Sequence, residues 1–170
     1  MTRAIRIHKT GAPSVMKWEE VNVGNPQKSE ARIRQTAVGL NFIDTYHRVG
    51  LYPLPLPFTL GSEAAGIVEA VGKGVSKLKV GDRVAYAGGP IGAYAQERIY
   101  PADNLIKIPK EISDQTAAAM MLKGMTVRYL LRDTYRVKKG DTILIHAAAG
   151  GLGLILCQWA KHLGAPVIGT

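Results

Sequence analysis

The stretch that most limits what this chain can fold into is residues 142–161, Thr-Ile-Leu-Ile-His-Ala-Ala-Ala-Gly-Gly-Leu-Gly-Leu-Ile-Leu-Cys-Gln-Trp-Ala-Lys. Ile143, Leu144 and Ile145 form a short apolar run, the pattern of a parallel strand covered on both faces. Ala147, Ala148 and Ala149 keep the exit small, and Gly150, Gly151 and Gly153 let the backbone turn tightly and approach something bulky. From Leu152 to Leu163 the spacing is helical and almost wholly apolar, with Gln158, Lys161 and His162 left for the polar side. A glycine turn that feeds a helix N-terminus aims free N–H groups and the positive end of the helix dipole at one point, which suits a phosphate.

The spacing Ala147-x-x-Gly150-x-x-Gly153 differs from the dinucleotide fingerprint G-x-G-x-x-G by an alanine at the first glycine. A new apolar strand is expected at residues 166–169, as a βαβ unit requires. The competing interpretation is an ordinary strand–helix turn that uses glycine only for close packing. Cys157 reads as an inert core thiol, since no basic residue adjoins it in sequence. His146 reads as a buried, satisfied histidine.

The chain has 170 residues, enough for one domain or one and a part. No apolar run approaches the roughly 18 residues of a membrane span. The N-terminus alternates like a strand and lacks the apolar core of a signal peptide. A single cysteine excludes an intrachain disulfide and a multi-cysteine metal site, and makes the cytoplasm the default location. Lys and Arg total 22 against 13 Asp and Glu, a net charge of +9 that attracts anions generally, nucleic acid or a phosphate-bearing cofactor among them.

Ahead of that stretch, residues 4–8 and 16–21 read as strands. Residues 30–38 alternate, with Ala31, Ile33 and Ala37 on one face and Arg32, Arg34 and Thr36 on the other. Residues 39–57 read as an irregular loop rich in Asn41, Asp44, Tyr46 and Tyr52, a place for a binding surface. Short strands at 66–71, 83–86, 93–100 and 105–108, punctuated by glycine and proline, suggest a small barrel or sandwich. Ser113 is a good N-cap for a helix. Gly124 is expected to interrupt it, with a second helix carrying Val127, Leu130 and Leu131 inward. The domain boundary is placed there, giving units 1–123 and 124–170.

Three ordered blocks carry a resemblance. One is Gly140-Asp141-x-x-Leu144-x-x-x-Ala148-Ala149-Gly150-Gly151-x-Gly153-x-x-x-x-Gln158-x-x-Lys161. Another is Gly61-Ser62-Glu63-x-x-Gly66-x-Val68-x-x-x-Gly72, followed by Gly81-Asp82-Arg83-Val84. The third is Asn41-Phe42-Ile43-Asp44-x-Tyr46 with Gly50-Leu51-Tyr52-Pro53. Together they resemble the zeta-crystallin-like quinone oxidoreductase family of the medium-chain dehydrogenase/reductase superfamily. The resemblance implies an α+β, GroES-like β-barrel catalytic domain followed by the start of an α/β Rossmann-like nucleotide-binding domain. Family members run to about twice this length, so a truncated second domain is expected, without most of the second βαβαβ half.

By the same resemblance the activity is NADPH-dependent reduction of a quinone or related small molecule. The cofactor would lie between the two domains, against Asn41, Thr126, Ala147, Gly150, Gly151, Leu152, Gly153, Gly169 and Thr170. Asn41, Tyr46 and Tyr52 would line the substrate pocket, and no residue is assigned as a catalytic acid or base. The full-length form is expected to be a homodimer, with no membrane partner. Gly169 and Thr170 offer no carboxylate to a ribose 2′-hydroxyl, which leans towards NADP.

Zinc is not expected. Zinc alcohol dehydrogenases of the superfamily carry Gly-His-Glu where Gly61-Ser62-Glu63 stands here, and their first ligand cysteine falls near Asn41. Glu63 reads as a structural carboxylate. Two alternatives stay open: reduction of an activated alkene such as an enone, and a non-catalytic, basic protein that binds single-stranded nucleic acid. The latter is disfavoured because the few aromatics are not interleaved with Lys and Arg. Asn41 also reads as a turn residue, Tyr46 and Tyr52 as packing residues, and Thr126 as a residue satisfying its own helix.

Overall fold

The computed structural model describes all of residues 1–170. In order the elements are β1 Thr2–Ile7, β2 Lys17–Val21, β3 Glu30–Gly39, α1 Phe42–Val49, β4 Phe58–Thr59, β5 Glu63–Val71, β6 Arg83–Ala87, β7 Glu97–Pro101, β8 Ile106–Lys107, α2 Asp114–Tyr129, β9 Ile143–Ile145, α3 Gly151–His162 and β10 Val167–Gly169. The chain divides into a unit Met1–Ala119 and a unit Met120–Thr170, and the division falls inside α2.

The first unit is antiparallel throughout. One sheet has the order β2-β1-β4 and a second the order β7-β3-β5-β6-β8. One bridge, Ala4 opposite Ala95, joins β1 to the segment before β7, where the Ile5 N–H donates to the Tyr94 carbonyl at 2.7 Å and the Gln96 N–H to the Arg3 carbonyl at 2.9 Å. The small barrel or sandwich expected from the strand spacing is two sheets whose pairing does not close into a ring. The core follows the alternation of β3: Ala31 and Ile33 are fully buried with Ala64, Val68, Val84, Tyr86 and Tyr100, while Arg34 faces water. Within this core Arg98 lies over the Tyr100 ring at 4.7 Å and donates to the Pro90 carbonyl at 2.8 Å, so a buried cation has its partners.

Two expectations are corrected here. Residues 39–57 are not all irregular, because α1 occupies Phe42–Val49. The Asp44 carboxylate accepts from the Asn41 N–H at 3.0 Å and the Asn41 side chain accepts from the Asp44 N–H, a reciprocal capping box, and Gly50 ends the helix with φ of 85°. Nor does Gly124 interrupt α2, which runs from Asp114 through to Tyr129 and passes into a π-turn at Leu130–Thr134. One glycine costs a helix only about 1 kcal/mol, and Ala, Met, Leu and Lys around it are good helix formers. Ser113 does cap α2, accepting from the Thr116 N–H at 3.1 Å.

The second unit holds β9 and β10 as a parallel pair, Ile143–Val167, Leu144–Ile168 and Ile145–Gly169, with α3 between them in sequence. Ile145, Leu156, Ala160, Val127 and Leu131 form its core. The expectation that β9 is covered on both faces is not met. Ile145 enters the core, whereas Leu144 is 57 % exposed on the opposite face, since successive side chains of a strand point opposite ways.

Candidate active site

The glycine turn sits where β9 hands over to α3. Ala147 takes the left-handed conformation, φ of 54°, which an L-residue adopts only at a cost of roughly 1–2 kcal/mol. That is the place where the fingerprint has its first glycine. The Gly150 N–H returns to the Ala147 carbonyl at 2.8 Å, and Gly150 caps α3 in an extended conformation. Gly153 is a close approach: a Cβ there would lie 2.3 Å from the Ala147 carbonyl oxygen and 2.6 Å from Ala148 backbone atoms. Leu154 N–H is the first to bond back, to the Gly150 carbonyl, so the N–H groups of Gly151, Leu152 and Gly153 have no acceptor within the helix. No acidic residue stands in the first turn of α3, while Lys161 and His162 stand in its last. The turn is therefore polarised for an anion at its N-terminal end.

His146 is exposed, not buried as expected. It lies at the C-terminal end of β9, and its Nδ1 is 2.9 Å from the Thr170 hydroxyl just beyond β10. Next to the buried Ile145, His146 points away from the core, as Leu144 does. Gly169 and Thr170 occupy the same end of the neighbouring strand, where α/β sheets bind ligands. Thr126 lies on α2 with its hydroxyl donating to the Leu122 carbonyl at 2.8 Å. Cys157 is half-buried on α3.

In the first unit the site residues gather on α1. Tyr46 packs edge-on against Phe42 at 5.3 Å and against Tyr52 at 5.4 Å, so the two tyrosines do meet. Tyr52 is 50 % exposed. Beneath them lies a buried polar web. The Asp44 carboxylate accepts from the Asn41 N–H at 3.0 Å, the Ser62 hydroxyl at 3.1 Å and the Tyr94 hydroxyl at 2.7 Å. The Asn41 amide nitrogen donates to Glu63 Oε2 at 2.7 Å. Burial, and then the bond to Asp44, push the Tyr94 phenol well above its ordinary 10. His47, one turn beyond Asp44, is buried with Nδ1 unpartnered and its ring 6.2 Å from that of Tyr52.

Asp44 was read from the sequence only as part of a binding loop, and Ser62 and Tyr94 were not read as site residues. The Asn41-x-x-Asp44 spacing was a readable capping signal, but the bonds from Ser62 and Tyr94 span 18 and 50 residues and leave no local pattern. A groove of about 430 Å³ runs beside β3 between Trp18, Val38, Leu40 and Tyr94, and none of Asn41, Tyr46 and Tyr52 lines it. Its one titratable side chain is Tyr94, already committed to Asp44. No three His, Cys, Asp or Glu side chains are grouped so that they could hold a metal ion.

An antiparallel β unit followed by a strand–glycine turn–helix unit is the element order of the medium-chain dehydrogenase/reductase class. Residues 27–110 match the alcohol dehydrogenase GroES-like domain family. Over its whole length the chain is 54 % identical to a 2-haloacrylate reductase of a Burkholderia species and 53 % identical to a quinone oxidoreductase of Pseudomonas aeruginosa, covering 53 % of each. The crystal structure of Escherichia coli quinone oxidoreductase complexed with NADPH superposes with a TM-score of 0.96 at 52 % identity, over 98 % of this chain and 52 % of that one. Along its whole length the chain is similar to quinone oxidoreductases of the medium-chain dehydrogenases/reductases, and it spans about half the length of the curated relatives it matches.

Proposed function

We propose that the protein is an NADPH-dependent quinone reductase. The observation that carries this reading is the turn at Ala147–Gly153: three backbone N–H groups without an intrahelical acceptor, and a backbone approach that admits no side chain at Gly153. These features fit a dinucleotide pyrophosphate. Gly150, Gly151, Leu152 and Gly153 would hold it, Gly169 and Thr170 would face the adenosine ribose, and Asn41 and Thr126 would serve the nicotinamide end. The reduced nicotinamide, when bound, supplies the hydride.

The chain's own side chains orient the acceptor and meet its charge. Tyr46 and Tyr52 offer flat faces to a quinone ring and hydroxyl donors to the oxygen on which negative charge grows. A zinc-dependent reaction is poorly matched to the residues present. Where zinc enzymes place ligands, Asn41 binds Glu63 and Ser62 binds Asp44. A single cysteine and a pyridine-nucleotide reaction suit a reducing, cytoplasmic setting.

A second reading, reduction of an activated alkene, is favoured by the relative named 2-haloacrylate reductase. NADPH oxidation with a para-benzoquinone and with a 2-haloacrylate, side by side and with NADH as control, tests both. The experiment uses this chain and, in parallel, a chain of the relatives' full length. Turnover with the quinone is expected in at least the longer chain. Turnover with the haloacrylate alone would reverse the order of the two readings, and turnover with neither would refute both.

A further inference from the structure

We propose that His146 is a positioning residue: by holding the Thr170 hydroxyl it fixes the side chain at the end of β10 that meets the adenosine half of the cofactor. This rests on the reading above, in which Gly169 and Thr170 face the adenosine ribose.

His146 is the one polar side chain between the end of β9 and Gly150, since Ala147, Ala148 and Ala149 follow it. It is exposed, and its Nδ1 lies 2.9 Å from the hydroxyl of Thr170, 24 residues away in sequence. The backbones meet at the same place. The Thr170 N–H donates to the Ile145 carbonyl at 3.1 Å, and the Thr170 carbonyl accepts from the Ala148 N–H at 3.0 Å. Gly169 comes closer still, because a Cβ there would lie 2.7 Å from the Ala148 Cβ. The end of β10 is thus seated on the first residues of the glycine turn, and the His146 bond is the only one of these contacts made between side chains.

The two backbone bonds fix where Thr170 stands but not which way its side chain turns. The bond to Nδ1 selects one rotamer of the hydroxyl-bearing arm. A bond so exposed to water adds little to folding stability, so its effect falls on the placement of the hydroxyl. A hydroxyl bound once still has capacity for a second partner. Ligands of α/β sheets lie at the carboxyl ends of the strands, which is where His146 and Thr170 stand. A hydroxyl already held in one rotamer loses less freedom when a ribose arrives, and binding is tighter for it.

Two substitutions separate the two ring nitrogens. The polar atoms of Asn stand as many bonds from the backbone as Nδ1, and those of Gln as many as Nε2. His146→Asn therefore keeps a partner for Thr170, and His146→Gln removes it. The unaltered chain and both variants are titrated calorimetrically with NADPH and with 2′,5′-ADP, which carries the adenosine half alone. His146→Gln is expected to raise both dissociation constants about threefold to tenfold, the worth of one hydrogen bond. His146→Asn is expected to stay within about twofold of the unaltered chain. The melting temperature should move by no more than about 2 °C in either variant, because the residue is exposed.

Unchanged binding in His146→Gln would overturn the proposal, and if His146→Asn alone weakened binding the contact would be a direct one through Nε2. An equal loss in both variants would overturn it too, as would a loss with NADPH that 2′,5′-ADP does not share. Failure of the unaltered protein to bind NADPH would instead refute the functional reading, and this inference with it.

Discussion

Ala147 holds a conformation that its side chain opposes, at the point where the chain turns from β9 into α3. Relief of the left-handed penalty, roughly 1–2 kcal/mol, outweighs the extra unfolded-state entropy of glycine, roughly 0.4–1 kcal/mol. Ala147→Gly should therefore stabilise the chain by about 0.5–1 kcal/mol, read as a higher urea midpoint at unchanged slope. The strain lies beside the turn proposed to hold the cofactor's phosphates, and strained residues often cluster at functional sites. Tyr52 makes the complementary case. Its ring packs on Tyr46, yet half its surface is exposed, so removing the hydroxyl should leave stability within about 0.5 kcal/mol. If the hydroxyl meets the growing charge on the quinone oxygen, Tyr52→Phe should lower kcat by roughly tenfold or more while the NADPH dissociation constant stays the same.

Among the elements, α1 depends most on bonds that its own sequence does not supply. Asp44 accepts from three buried or half-buried donors. Asp44→Asn would turn an NH2 towards one of them and should cost about 1–3 kcal/mol in urea unfolding. Helix α2 is tied differently. Burial raises the Asp114 carboxyl, but bonds from Thr36 at 2.6 Å and from Arg83 at 2.9 and 2.6 Å outweigh it and hold its pKa below 3.8. A depressed folded pKa gives stability that is present above 3.8 and is lost as pH falls through the lower folded value. Acid titration of stability should show this limb, and Asp114→Asn should flatten it.

Most strands of the first unit and nearly all of α3 were legible in advance because alternation and helical spacing are local, whereas the two-residue β4 is too short to show a pattern. Helix α1 was obscured by the prolines and tyrosines after it, although its cap and terminal Gly50 were visible. The continuity of α2 was missed because Gly124 was weighed alone against neighbours that favour helix. The web of Asp44, Ser62, Glu63 and Tyr94 could not be read at all, since it is made by α1, the start of β5 and the segment before β7 meeting in space.

At the scale of the molecule, each unit has its own core, one around Ile33, Val68 and Tyr100 and the other around Val127, Ile145 and Leu156. The net charge of +9 needs no nucleic-acid partner if the ligand is a dinucleotide phosphate. The central claim is that the turn before α3 binds the phosphates of NADPH, and backbone amide NMR of the folded chain during NADPH titration tests it most directly. The N–H resonances of Gly151, Leu152 and Gly153 should shift together, saturably and less strongly at high salt, while nicotinamide riboside leaves them in place. A folded chain whose shifts on adding NADPH lie elsewhere and spare those three amides would contradict the account.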